Sequence, residues 1–212
     1  MQRLALCLTI LPAPAALAQD FFIYGGGAVE FERAPDGKGS ADQADINAYV
    51  EIEKSGFYTG VWAEVSDQSL NNKADLYFGY RAESAAGFSY DISATRRFYL
   101  KDSGDYTSVD LGLGLPLGDR LSGSADLTYY PSSHLGDAYL GLAWQVTGAL
   151  ALSVNYGVYG VAGAASEQEW DIGGGYALGD ETVLDLRYYD GSEYVDPYFG
   201  ISLSWATTLV SR

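Results

Sequence analysis

From Asp20 to Leu209 the chain repeats one pattern: short runs in which apolar and polar side chains alternate strictly, each closed by turn residues. A period of two places neighbouring side chains on opposite faces of an extended strand, so such a run can be half-buried only as β-structure. Ala74, Leu76, Phe78, Tyr80 and Ala82 alternate with Asp75, Tyr77, Gly79, Arg81 and Glu83, and Phe199, Ile201, Leu203 and Trp205 alternate with Gly200, Ser202, Ser204 and Ala206. Twelve runs begin near residues 20, 44, 57, 73, 87, 105, 120, 136, 149, 168, 181 and 197. No helical period competes, and no shift in composition marks a second domain.

The connections alternate in length. Ser55-Gly56, Ala85-Ala86-Gly87, Gly118-Asp119, Thr147-Gly148-Ala149 and Gly179-Asp180-Glu181 are short, whereas residues 34–43, 67–72, 101–104, 131–135, 162–167 and 190–196 form longer links. Tight turns on one rim and longer loops on the other, with an even strand number, are the pattern of outer-membrane barrels. The expected fold is therefore all-β: a transmembrane antiparallel up-and-down β-barrel of about 12 strands.

Alternation alone does not say which face meets water, because a soluble barrel or sandwich would show it too. Three features favour the membrane version. Aromatic residues gather near strand ends (Phe57, Tyr58, Phe88, Tyr129, Tyr130, Tyr188, Tyr189, Tyr194 and Tyr198), where interfacial girdles belong. Lys is nearly absent from the runs, although soluble edge and surface strands use it. Closure also leaves no backbone group unpaired in lipid. The polar face then lines the lumen, and its charged residues are the candidate functional set: Glu51, Glu53, Glu64, Asp75, Arg81, Glu83, Asp91, Arg97, Asp110, Asp126, Asp137, Asp171, Asp185 and Arg187, with Glu30 and Glu32 beside them.

Met1 to Ala18 reads as a secretory signal peptide, with Arg3 in its n-region, an apolar stretch from Leu4 to Leu11, and an Ala16-Leu17-Ala18 exit. The barrel domain is then residues 19–212. The single cysteine, Cys7, falls inside the leader, so the exported chain carries no disulfide. A net charge of −16 argues against nucleic acid as a partner. The expected partners are outer-membrane lipids and lipopolysaccharide, the barrel-assembly machinery during insertion, and small solutes.

Ser55-Gly56-Phe57-Tyr58-Thr59-Gly60-Val61-Trp62, Asp75-Leu76-Tyr77-Phe78-Gly79-Tyr80-Arg81 and Gly87-Phe88-Ser89-Tyr90-Asp91 resemble the TorF family of porins, with echoes in Glu169-Trp170-Asp171-Ile172-Gly173 and Leu184-Asp185-Leu186-Arg187-Tyr188. The resemblance runs along the whole exported chain. It implies an outer-membrane porin of a Gram-negative bacterium and brings no catalytic residue or cofactor with it. The chain departs from the family pattern at Ala63-Glu64-Val65-Ser66, and at its end, where Leu209-Val210-Ser211-Arg212 replaces a terminal aromatic. The resulting expectation is a narrow channel for small cationic or neutral solutes. The alternatives are a plugged structural or adhesive barrel and, third, a lipid-modifying enzyme.

Catalytic chemistry is sparse. Ser132, Ser133, His134 and Asp137 have the types of a nucleophilic triad, but adjacent residues of one loop rarely converge as nucleophile, base and orienter. A solvated loop histidine is the expectation, and no cofactor or metal is called for. Gly25-Gly26-Gly27 and Gly173-Gly174-Gly175 lack the Lys-Ser/Thr of a phosphate loop, and in strands glycine makes a bend or room for a large neighbour. If Ala85 to Gly87 form a three-residue turn, Arg81 faces Asp91 and Asp75 faces Arg97 across one hairpin, which predicts a charge-compensated wall on that side.

Overall fold

The computed structural model describes residues 21–35, 42–67, 72–101, 104–161, 167–192 and 196–211. The leader expectation for residues 1–18 lies outside them, as does Tyr194. Twelve strands follow one another: β1 Phe21–Arg33, β2 Gln43–Lys54, β3 Phe57–Ser66, β4 Lys73–Glu83, β5 Ser89–Tyr99, β6 Tyr106–Pro116, β7 Leu121–Tyr130, β8 Leu135–Gln145, β9 Leu150–Val161, β10 Glu167–Ala177, β11 Thr182–Gly191 and β12 Tyr198–Ser211. Each pairs antiparallel with its sequence neighbours, and β1 pairs with β12, so the sheet closes on itself without an edge.

Tight turns are set by residues that accept positive φ. Ser55 (φ 54) and Gly56 (φ 83) reverse β2 into β3, a two-residue turn whose twist matches that of the strands it joins. At the β4–β5 turn the Gly87 amide donates to the Ser84 carbonyl (2.9 Å) and the Ser84 amide to that of Phe88 (2.8 Å), with Gly87 at φ 80. This hairpin turns where the sequence requires it. The ladder interrupts its register at Ile23/Tyr24 in the β1–β12 seam and at Gly136/Ala138 between β8 and β9.

The faces are those of a protein turned inside out. Phe78 is 66% exposed and Ile46 58%, while Arg97 is 3% and Asp171 2% exposed. Phe31, Val50, Val61, Val65, Leu76, Leu140, Trp144, Ile172 and Leu186 extend the exposed apolar belt around the barrel. Ala34, Tyr189 and Tyr198 are the small buried apolar cluster. An apolar belt of this extent is stable in hydrocarbon and costly in water, and the strand lengths suit a tilted crossing. Among the described residues no helix is long and apolar enough to cross a membrane.

Candidate functional site: the lumen wall

The inward positions are set by parity. On β2 the odd residues turn inward (Asp45, Asn47, Tyr49, Glu51, Glu53), on β3 the even ones (Tyr58, Gly60, Trp62, Glu64), and on β4 the odd ones again. Five tyrosines of this face lean sideways over a glycine on the adjacent strand: Tyr77 over Gly60, Tyr58 over Gly79, Tyr139 over Gly157, Tyr49 over Gly26 and Tyr189 over Gly200. The first four of these pairs are direct register partners. A Cβ at Gly157 would fall inside van der Waals contact of the Tyr139 ring. The strand glycines are the room into which aromatic rings fold, which keeps large side chains flat against the wall.

Flat rings carry their hydroxyls to carboxylates. Tyr58 crosses Gly79 and donates to Asp91. Tyr130 donates to Asp137 (2.8 Å), which also accepts from the Gly160 amide (2.9 Å). Tyr139 and Tyr159 both donate to Glu169 (3.1 and 3.3 Å). Asp110 accepts from Thr128 (2.8 Å) and Ser108 (2.9 Å). Asp126 lies in one cross-strand row with Asp91, Gly112 and Tyr139. Asp110 and Asp137 thus accept from neutral groups, and Asp126 has another acid, Asp91, in its row.

The cations sit elsewhere. Asp75 and Arg97 are register partners and form a buried bidentate pair, Nε to Oδ1 at 2.7 Å with Nη2 on Oδ2, and Arg97 also meets the Tyr106 hydroxyl at 2.9 Å. Lys73 Nζ pairs with Glu64 at 2.6 Å and, like Arg97, lies over the Trp62 ring, at 5.5 and 5.7 Å. Arg187 reaches Asp171, Asp185 (3.2 Å) and Ser153 (2.8 Å), while Asn155 completes Asp171 at 2.8 Å.

Arg81 corrects the expectation. It stands opposite Asp91 in the register the turn dictates, yet its guanidinium crosses β3 to Glu51 and Glu53 (3.0 Å) on β2. Tyr58 already occupies Asp91, and two carboxylates attract a cation more than one does. Arg81 and Tyr58 pass in opposite directions, guanidinium over ring at 4.1 Å. A second correction concerns the girdle: Tyr58, Tyr130, Tyr189 and Tyr198 belong to the inside, with Tyr198 1% exposed, because they fall on inward parity despite lying at strand ends. Phe57 and Tyr129 remain outside. Glu83 keeps inward parity but is exposed at the end of β4.

Asp45, Lys73 and Glu169 are buried members of this wall that sequence reasoning missed. Each lies two residues from an inward residue of its own strand (Asn47, Asp75, Asp171), so extending the parity to the strand ends would have found them. His134, at φ 57, meets the Tyr129 hydroxyl through Nδ1 (3.0 Å), while Asp137 turns to Tyr130 and Gly160, so no Ser-His-Asp relay is assembled there.

No family profile matches the sequence, and no curated protein is similar to it at the level of sequence. Solved structures are similar in fold. The KdgM porin superposes with a TM-score of 0.67 at 9% identity, covering 86% of this chain and 98% of its own. The NanC porin gives 0.62 at 6% identity, covering 88% and 100%. Outer membrane phospholipase A from Escherichia coli gives 0.53 at 10% identity, covering 85% and 89%. Porins and a phospholipase share the architecture, so the fold leaves the activity to be argued from the wall itself. What these comparisons establish is the fold: a closed twelve-stranded barrel like those of the porins.

Proposed function

We propose that the chain is an outer-membrane porin, exported by its leader, whose lumen conducts small cationic or neutral polar solutes. One observation carries this reading: the inner wall is acidic beyond what its own cations neutralise. Among the described residues the cations not exposed to solvent are Lys73, Arg81, Arg97 and Arg187, and each is paired with one or two carboxylates of the wall. Asp91, Asp110, Asp126, Asp137 and Glu169 stand outside those pairs. Fixed negative charge along a low-dielectric passage raises the local concentration of cations and repels anions. KdgM has been seen in complex with oligogalacturonate, a polyanion; the wall described here suits the opposite charge. The TorF resemblance agrees with a porin role, and the exposed apolar belt with a place among outer-membrane lipids and lipopolysaccharide.

Single-channel recording in a planar bilayer tests conduction directly. Stepwise potassium currents support the channel. Insertion without current would overturn it in favour of a barrel plugged by its Arg97–Asp75 and Arg187–Asp171 networks.

A further inference from the structure

We propose that the lipid-facing surface where β12, β1 and β2 meet, at the long-loop rim, holds a site for a phosphate of lipopolysaccharide. The site is independent of whether the lumen conducts. Outward parity on β1 runs through the exposed Phe31 to Arg33, the last residue of the strand and itself exposed. Arg33 is the register partner of Phe199, and Phe199 that of Tyr188. Trp170, Tyr188 and Phe199 form a ladder of rings on this surface, with successive centroids 5.8 and 5.1 Å apart. A band of outward aromatics marks the level where hydrocarbon gives way to headgroups. Arg33 continues that row, so its guanidinium stands at headgroup height and faces the lipid.

A groove of about 520 Å³ opens beside it, with Arg33 as the one cation in its lining. Its apolar wall is Phe31, Phe199 and Ile201, all exposed and continuous with the belt that meets lipid tails. The other strand guanidiniums have partners: Arg81, Arg97 and Arg187 pair with carboxylates inside, and Arg96, also facing outward, meets Asp105 (3.6 Å) and Thr107 (3.3 Å). Arg33 has none among the described residues. Asp42 and Asp67 also border the groove, but each gives Oδ1 to a backbone amide, of Ala34 (3.2 Å) and Ala44 (3.1 Å), and neither pairs with Arg33. The guanidinium fork matches a phosphate, and the apolar wall matches an acyl chain, so the fitting occupant carries both. Loop lengths place this rim outside, in the leaflet that lipopolysaccharide occupies.

The test is native mass spectrometry of the detergent-folded barrel titrated with lipid A, with lipid A stripped of its phosphates, and with phosphatidylglycerol. Lipid A should bind, and Arg33→Gln should weaken it about tenfold, the loss of a charge-assisted hydrogen bond. Lys54→Gln, which removes an exposed cation at the short-turn rim, should leave that affinity unchanged. Unchanged lipid A affinity in folded Arg33→Gln overturns the site, and an equal loss in Lys54→Gln reduces it to a general charge effect. If Arg33→Gln does not fold, the unsubstituted barrel decides: the stripped lipid should bind about tenfold more weakly, and equal binding refutes a phosphate site. Phosphatidylglycerol binding as tightly as lipid A overturns lipopolysaccharide as the occupant. None of these readouts depends on current through the lumen, so the channel and this site stand or fall separately.

Discussion

At the scale of single residues, the wall is built on pairs that differ in their access to water. Arg97 and Asp75 are both buried, whereas Arg81 keeps about a third of its side chain exposed (34%). Removing one partner of a buried pair leaves an uncompensated charge, at about 3–5 kcal/mol. Arg97→Met should therefore destabilise the barrel by that order in a denaturant titration in lipid, and Arg81→Met by clearly less, since water already reaches the Arg81 guanidinium and can take its place against Glu51 and Glu53. Equal costs would contradict the burial argument. The glycines give a second prediction. Gly157→Ala pushes a Cβ into the Tyr139 ring, whose hydroxyl is tied to Glu169 (3.1 Å) and Asp171 (3.4 Å), so it should cost about 1–3 kcal/mol, an overpacking penalty. Gly148→Ala, in a turn where a Cβ meets nothing within 4 Å, should cost much less. The sequence shows that strand glycines make room, but not which ring takes it, because the Tyr139–Gly157 contact needs the β8–β9 register as well as the strand assignment.

At the scale of the hairpin, turn chemistry and parity together made most of the structure legible. The turn at Ala85 to Gly87 leads to the pairs Arg81–Asp91 and Asp75–Arg97, and the register contains both. The ion pairs were half legible. Asp75 and Arg97 meet as adjacent partners, but a guanidinium reaches beyond its neighbour, and Arg81 selects two acids on β2 through competition with Tyr58, which no single hairpin reveals. Strand-end tyrosines such as Tyr198 misled for a related reason: position along a strand suggests a girdle, while parity decides which side of the wall the ring takes. The alternation of connections makes a topological prediction that a single cysteine can test, since Cys7 is the only one in the sequence. Ser132→Cys, in the 131–134 turn, should react with a membrane-impermeant maleimide on intact cells, and Gly148→Cys should not. The reverse pattern would invert the assigned orientation.

At the scale of the whole molecule, period-two alternation fits a soluble barrel and a membrane barrel equally, and charge in the lumen is what distinguishes the two once the strands close. Exposed Phe78 and Ile46 outside, with buried Arg97 and Asp171 inside, resolve that choice in favour of lipid on the outer face. The same inversion gives the lumen its character. Its cations are tied to carboxylates on β2–β4 and on β10–β11, while Asp110 and Asp137 accept from neutral groups and Asp126 stands in one row with another acid, Asp91, so the wall as a whole carries excess negative charge. The most direct measurement of that claim is the reversal potential of the purified barrel in a planar bilayer under a potassium chloride gradient. A potential whose sign reports potassium as the more permeant ion is the predicted result; a potential of the opposite sign, with chloride preferred, would contradict it.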